Sequence, residues 1–286
     1  MASPSTTIPQ AVKAQSENNE LKKTEVTTTD IAFNHGLDLS SKIQKDGLIV
    51  AWLVMNFWAL SLGFFLSLNI TQFPAWLMSI AALWQTFLYT GLFITAHDAM
   101  HGSVCPQNPK LNHAIGSLCT LLYGLFPYKE LLRKHQFHHR FPASDRDPDF
   151  HDGTHKNPVF WYLYFMVRYL KWQQIIGFTI VFYGAGFVFH LSLSNLVVFW
   201  ILPSILSSIQ LFYFGTFLTH REPKDGFSSP QRATTNALPP FWSFATCYHF
   251  GYHEEHHEYP HVPWWQLPVV HHHCSQRFES PFLSNR

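Results

Sequence analysis

Charged side chains are missing from two long parts of the chain. No Asp, Glu, Lys or Arg occurs between Asp46 and Asp98, or between Lys171 and Arg221. Each part is about fifty residues long and a membrane-spanning helix needs roughly 20 apolar residues, so each part can hold two such helices and a turn. The pattern predicts four transmembrane helices in two hairpins, at about 47–70, 75–96, 173–193 and 195–219.

Two shorter apolar runs, at 111–127 and 157–170, do not reach that length. The second run carries Arg168 among several aromatic residues. We expect both runs to be helices that lie in the membrane interface, with aromatic rings and Arg at headgroup level. The predicted fold class is therefore an all-α integral membrane protein with interfacial helices.

The positive charges indicate the orientation of these hairpins. All 19 Lys and Arg residues lie in 1–45, in 110–171 or after residue 220. If each hairpin crosses the bilayer and returns, these parts share one face with both termini, and the positive-inside rule makes that face cytoplasmic. Residues 1–45 are polar with few aromatics and are predicted to form a disordered tail. Residues 46–270 then form one membrane domain, followed by a C-terminal tail at 271–286.

Composition agrees with a chain that largely avoids water. Only 13% of its residues are charged, against about 25% in soluble domains. The formal net charge of +1 argues against nucleic acid as a partner, because nucleic-acid-binding proteins usually carry a basic patch. No GxGxxG or CxxCH motif is present, so the sequence shows no nucleotide or haem fingerprint of its own.

Histidines concentrate in three short motifs that the predicted topology places on the cytoplasmic face. Spacings of three and four bring their rings to one side of a helix. Imidazole is the commonest metal ligand in proteins, and eight imidazoles exceed what one first-row ion binds, so we expect two ions. Structural zinc sites generally use cysteine, which favours redox metals with open positions. The motifs comprise His97 and His101, then His135, His138 and His139, and finally His253, His256 and His257.

These motifs, beside two membrane hairpins, resemble those of the integral-membrane fatty acid desaturase–hydroxylase superfamily. Three longer stretches are similar to the beta-carotene ketolases of the bacterial and cyanobacterial type. They are "LWQTFLYTGLFITAHDAMHG", "PSILSSIQLFYFGTFLTHR" and "FWSFATCYHFGYHEEHHEYPHVPWWQLP". The resemblance covers most of residues 47–270.

The resemblance implies a di-iron centre, O2 as co-substrate and a ferredoxin-type electron donor. The implied reaction converts the C4 methylene of a beta-ionone ring to a ketone by two hydroxylations and loss of water. Beta-carotene would give echinenone and then canthaxanthin; whether zeaxanthin is also accepted, giving astaxanthin, is left open. The superfamily also implies His220 as a ninth ligand, while the other eight are the motif histidines.

Several further residues are candidates for supporting roles. Carboxylates commonly orient a ligand imidazole through its second nitrogen, and aromatic residues near the motifs are candidates to line an apolar substrate channel. The candidate supports are Asp98, Asp147, Asp149, His249, Glu254 and Glu255. The candidate channel residues are Phe126, Tyr128, Phe137, Phe250 and Tyr252. By contrast, His190 is expected to pack inside the third span, and His271 to His273 are expected to take no part.

Two alternatives remain beside a carotenoid ketolase. One is a membrane fatty acid desaturase or carotenoid hydroxylase with the same di-iron chemistry. The other is a non-catalytic protein that binds or transports metal. The second is disfavoured because a transport path needs polar residues along the spans, and the charge-free blocks hold few of them.

Overall fold

The computed structural model describes the backbone of residues 40–279 and the side chains of residues 46–275. The described chain consists of helices and loops and contains no strand, which confirms the all-α expectation for these residues. The helices, in order, are α1 (Ser40–Ser67), α2 (Ala75–Met100), α3 (Pro109–Gly124), α4 (Tyr128–Arg140), α5 (Pro158–Tyr169), α6 (Trp172–Val188), α7 (Leu193–His220), α8 (Pro240–Cys247), α9 (His253–Glu258) and α10 (Leu267–Glu279).

The helix bounds differ from those predicted for both tails. Because α1 begins at Ser40, residues 40–45 are helical rather than part of the tail, and residues 1–39 lie outside the described range. At the other end, α10 runs through residue 270, where the tail was predicted to begin. Within the described range, the residues from Gln44 onward form a single compact unit.

Three described helices are long and apolar enough to cross a bilayer: Asp46–Ser67 within α1, then α2 and α7. The predicted third span, 173–193, corresponds to α6, which has only 17 residues, against the roughly 20 that a span needs. The prediction for His190 is wrong, because α6 ends before it and His190 is an exposed turn residue with φ of 52°.

A buried asparagine connects the start of α7 to the turn between α1 and α2. Asn195, at the start of α7, donates its Nδ2–H groups to the carbonyl oxygens of Phe65, at 3.1 Å, and Leu68, at 2.7 Å. These carbonyls lie at the end of α1, where a helix leaves its last oxygens without intrahelical partners. The contact fixes the start of α7 beside the α1–α2 turn. The C-terminal end of α7 therefore lies at the opposite end of the α1–α2 pair.

Local sequence signals explain where the shorter helices begin. Asn108 accepts a hydrogen bond from the backbone of Leu111 and precedes Pro109, and Asn157 is the equivalent cap before Pro158. Asn is a favoured N-cap and Pro a favoured first residue of a helix. The apolar runs predicted at 111–127 and 157–170 are therefore α3 and α5, within a few residues at each end.

Helix α2 is the centre of the fold. From Leu88 to Ala99 nearly every residue is buried, as expected for a helix that is surrounded by others. It packs chiefly against α3 and α7. Its C-terminal end, the end of α7, and the short helices α4 and α9 meet at one end of this bundle and carry the histidine motifs.

Helix α7 is not regular. Two π-helical segments, Val197–Ile201 and Phe212–Phe217, interrupt it. Such segments occur frequently at functional sites, because the extra residue in the turn shifts the side chains that follow. The second segment ends three residues before His220.

Candidate metal centre

Nine histidines converge in two separate groups; eight lie in four helices, and His101 directly follows α2. In each group the candidate ligand nitrogens all lie within 4.8 Å of one another. The first group, called here the five-histidine group, contains His97, His101, His135, His139 and His256. The second, the four-histidine group, contains His138, His220, His253 and His257. The structure thus brings together every histidine that the sequence analysis proposed as a ligand.

In the five-histidine group the Nε2 atoms face one another. His101 Nε2 lies 2.6 Å from His135 Nε2, and His139 Nε2 lies 3.1 Å from His256 Nε2. The ring of His97 lies 4.5 to 4.9 Å from three of the other four rings. His97 is buried, and neither of its nitrogens has a hydrogen-bond partner among the described residues.

The four-histidine group is buried throughout. His257 Nε2 lies 3.1 Å from His138 Nε2 and 3.2 Å from His253 Nε2. The ring of His220 lies 4.6 to 5.1 Å from the rings of the other three. Each of the helices α4 and α9 therefore contributes to both groups.

Burial keeps most of these imidazoles neutral. The pKa values of His135, His139, His256 and His257 lie well below their usual range. Burial is the largest cause, and repulsion between neighbouring imidazoles is the next. Neutral imidazole is the form that binds a metal ion. Lone pairs that converge in a buried space are costly unless a cation or donor meets them, so the arrangement fits two metal ions and not a hydrogen-bonded core.

His138 is supported by a carboxylate. Both oxygens of Asp147 lie 3.0 Å from His138 Nδ1, and Asp147 also accepts hydrogen bonds from the backbone of Ala143 and Asp149. Burial opposes protonation of His138, but Asp147 and Asp149 raise its pKa to about 9. The contact directs Nε2 into the four-histidine group, as carboxylates commonly do for metal-binding imidazoles.

Asp149 has a second partner as well. Its Oδ2 lies 3.7 Å from His138 Nδ1, and its Oδ1 accepts a hydrogen bond from the hydroxyl of Tyr169. Burial raises the pKa of Asp149 to about 6. Of the two carboxylates proposed here from sequence, Asp147 makes the closer contact with the ring.

Two other candidate ligands, His220 and His97, have different neighbours at Nδ1. His220 Nδ1 donates to the carbonyl oxygen of Arg232 at 3.0 Å, which leaves its buried Nε2 without a partner among the described residues. Asp98 Oδ1 lies 3.5 Å from His97 Nδ1, while its Oδ2 accepts from the backbone of Trp264. The hydrogen bond to the Arg232 carbonyl was not predicted, because no pattern of side chains in the sequence indicates a backbone acceptor.

Three predicted supports lie away from both groups. His249 has φ of 60°, so it does not continue α9, and its ring contacts Phe244 and Trp264 instead. Glu255 is buried and accepts hydrogen bonds from His271 and Thr235, while Glu254 is partly buried on the same short helix. His271, which was expected to take no part, is thus tied to α9.

An elongated cavity of about 550 Å³ begins at the histidines. His97, His135, His138 and His253 line one end. Its walls follow α7 from Thr216 to Ile201, which is about 22 Å at 1.5 Å per residue. Ligand pockets commonly measure roughly 300–1,000 Å³.

Two of the five predicted channel residues line this cavity, namely Phe126 and Phe250. The other three do not. Tyr128 packs beside Gly116 and Ala99, Phe137 is 47% exposed on α4, and Tyr252 is stacked on His271. These three rings point away from this cavity, because nearness in sequence to a histidine does not determine which way a ring points.

Most of the cavity wall comes from α5, α6 and α7 and was not predicted from the sequence. The α6 residues recur at spacings of four, which places them on one face of the helix. That spacing was visible in the sequence, but nothing in it distinguished a cavity wall from a packed or lipid-facing stripe. The α6 residues are Gln174, Ile175, Phe178, Thr179, Phe182 and Tyr183.

Comparison with known proteins agrees with this site. The family model for fatty acid desaturases matches residues 74–175 and 165–283. The chain belongs to the fatty acid desaturase family.

Within that family its relatives include beta-carotene ketolases from two strains of Paracoccus sp. One is 43% identical over 237 residues, covering 81% of this chain and 92% of the relative. The other is 40% identical over 247 residues, covering 85% and 93%. A zeaxanthin 4-ketolase of Chlamydomonas reinhardtii is 40% identical over 222 residues, which is 76% of this chain and 48% of that protein. The resemblance inferred from the motifs is confirmed.

Proposed function

We propose that the protein is a membrane-bound beta-carotene 4-ketolase. It oxidises the C4 methylene of each beta-ionone ring to a keto group, giving echinenone and then canthaxanthin. The observation that carries the proposal is the meeting of two all-histidine groups with one end of a long apolar cavity. The ketolase relatives that share 40–43% identity over most of this chain support the same substrate class.

The five-histidine group would hold one iron ion and the four-histidine group the other. Neither group includes a carboxylate ligand, which distinguishes them from the Glu-x-x-His sites of soluble di-iron bundles. When bound, the two ions supply the activation of O2. The protein contributes the ligand orientation, through Asp147 and the Arg232 carbonyl, and it keeps most of the imidazoles neutral by burial.

The chemistry balances as two hydroxylations at one carbon. Each consumes one O2, two electrons and two protons, releases one water and replaces a C4–H bond by C4–OH. The resulting geminal diol loses water to give the ketone. The electrons come from an external donor, for which we propose a ferredoxin-type protein.

The cavity would bind the ring at its histidine end and the polyene along α7. Phe250 contacts His97 at 4.7 Å and His253 at 4.9 Å between ring centroids, so it borders the place where the ring would be oxidised. Farther along, Ile175, Tyr183 and Ile205 line the cavity and are also about half exposed. That exposed side would face lipid, through which an apolar substrate enters sideways.

We further propose that α6 completes a second hairpin with α7, giving four membrane crossings. Helix α6 exposes large apolar side chains along its length, including Ile180 and Phe187 at 66% and 82%. Such exposure is costly in water and fits a lipid environment. With α3 and α5 in the interface, the distribution of Lys and Arg supports a cytoplasmic location for both termini and for the histidines.

Pigment analysis tests the function directly. The chain is expressed in cells that accumulate beta-carotene, and the extract is examined by chromatography with mass spectrometry. A product that gains one oxygen and loses two hydrogens per ring, with the red-shifted spectrum of a conjugated ketone, is expected. Hydroxylated products that never become ketones would identify a carotenoid hydroxylase, and unchanged carotene with iron-loaded protein in the membrane would contradict a carotenoid substrate.

A further inference from the structure

Helix α9 has only six residues, yet it carries three of the proposed iron ligands. A helix this short is not stable alone, because nucleation is costly and few hydrogen bonds follow it. No side chain caps its N-terminus either. The position of His253, His256 and His257 must therefore come from contacts on the opposite side of the helix.

Glu255 makes those contacts. Its side chain is buried, and Oε1 lies 2.6 Å from Nδ1 of His271 on α10. Its Oε2 accepts a hydrogen bond from the hydroxyl of Thr235. A carboxylate oxygen only accepts, so His271 presents Nδ1–H to it. Both carboxylate oxygens are thus engaged away from the histidine groups.

A ring contact strengthens the same connection. Tyr252, directly before α9, stacks on His271 with centroids 4.4 Å apart and planes at 12°. Tyr252 also donates its hydroxyl to the carbonyl oxygen of Leu238 at 2.7 Å. It belongs to a buried apolar cluster with Val262, Leu267 and Val270. We call Tyr252, Glu255 and His271 the C-terminal clasp.

We infer that the C-terminal clasp positions the third histidine motif, and that His271 is a positioning residue for iron binding. The inference rests on the proposed function. It assigns a role to the first histidine of "HHH" at 271–273, which contacts neither histidine group. Because His256 belongs to one group and His253 and His257 to the other, displacement of α9 disturbs both ions together.

His271→Ala removes both the donor and the stacked ring, and it tests the inference in the full-length membrane protein. Iron content and kcat for beta-carotene are expected to fall about ten-fold, as for other residues that orient metal ligands. KM is expected to stay within about two-fold, because none of the three clasp residues lines the cavity. His273→Ala, on the exposed side of the same helix, is the matched control and should behave as wild type.

Two further variants separate the contributions of the hydrogen bond and the ring. His271→Asn keeps an N–H donor near the position of Nδ1 but loses the stacked ring, whereas His271→Phe keeps the ring and loses the donor. Partial rescue of iron content by Asn, and less by Phe, is expected because the bond to a charged acceptor is the stronger contact. If His271 acted only through packing, the iron content of the variants would not depend on the presence of the N–H donor.

The iron spectrum gives a second readout. Mössbauer spectra of His271→Ala with partial iron should show both sites depleted together. Full iron content and kcat in His271→Ala would overturn the inference, as would an effect on KM alone or the same loss in His273→Ala. If wild-type protein binds two irons but gives no ketone, the proposed function fails while the iron measurements still decide the role of the clasp.

Discussion

The ring of Phe250 lies against the backbone of Gly215, where any Cβ atom would overlap it. Gly215 lies in the second π-helical segment of α7, and Phe250 contacts histidines of both groups. The absence of a side chain at residue 215 therefore determines how closely α7 approaches the proposed iron centre.

Gly215→Ala should move Phe250 and lower activity. Overpacking of this kind costs roughly 1–3 kcal/mol, and a displaced ring would also change the oxidising end of the cavity. We expect a lower melting temperature in detergent and about ten-fold less ketone per protein, with iron retained. Gly184→Ala has open space around the added carbon and is the control. Restoration of the melting temperature in a Gly215→Ala/Phe250→Leu double variant would identify the ring as the cause, and unchanged behaviour of Gly215→Ala would contradict the packing.

Asp147→Asn should weaken one iron site selectively. The amide keeps the size of the carboxylate but loses the charge that orients His138, and such changes typically cost 10- to 100-fold in metal affinity or activity. Iron measured by atomic absorption should drop from two toward one per chain, with the five-histidine group still loaded. Asp145→Asn, at an exposed position in the same loop, should retain both ions. Equal loss from both sites would show that Asp147 acts on both histidine groups and not on the four-histidine group alone.

His256→Ala should abolish ketone formation and lower bound iron while the protein remains in the membrane. The ring is buried in the five-histidine group, and Ala offers no ligand in its place. His190→Asn is the control, since His190 is exposed after α6 and Asn tolerates its left-handed backbone. Membrane fractions are assayed for protein, iron and pigment. A fully active His256→Ala protein would remove this residue from the ligand set.

Ser204→Trp should obstruct the cavity without disturbing the irons. Ser204 lines the cavity on α7, about 18 Å from Thr216 at 1.5 Å per residue. If the polyene occupies this region, KM should rise several-fold or conversion should stop while iron content stays at the wild-type value. Ser194→Trp, exposed at the other end of α7, should convert carotene normally. Normal conversion by Ser204→Trp would mean that the substrate follows another path.

The sequence predicted the helical class and the convergence of the histidines well, because both follow from local spacing. The i, i+4 spacing of His135 and His139 needed only a helix to bring both rings into one group, whereas the division that places His138 in the other group was not predicted. His220 was different: it stands alone in the sequence, and only the resemblance to a family pointed to it. Its partner, the Arg232 carbonyl, carries no sequence signal at all.

Other features depend on tertiary packing and could not be read from local patterns. The length of α6 was overestimated because apolar character continues past Val188, where the backbone turns. Tyr128, Phe137 and Tyr252 were proposed for the channel by their nearness to histidines, yet each faces elsewhere. His271 was dismissed as part of a tail, since its pairing with Glu255 spans sixteen positions and joins two separate helices.

Helices α4 and α9 each supply ligands to both histidine groups, which makes the two ions dependent on one another during assembly. The first ion to bind orders one ring of each shared helix and so places the neighbouring rings for the second ion, reducing the conformational entropy that remains to be lost. When both groups are intact, loading of the apoprotein should therefore be cooperative, with few chains holding a single iron at intermediate supply; Asp147→Asn uncouples the two groups because it damages the four-histidine group alone. A cell short of iron would then contain a mixture of complete and empty enzyme.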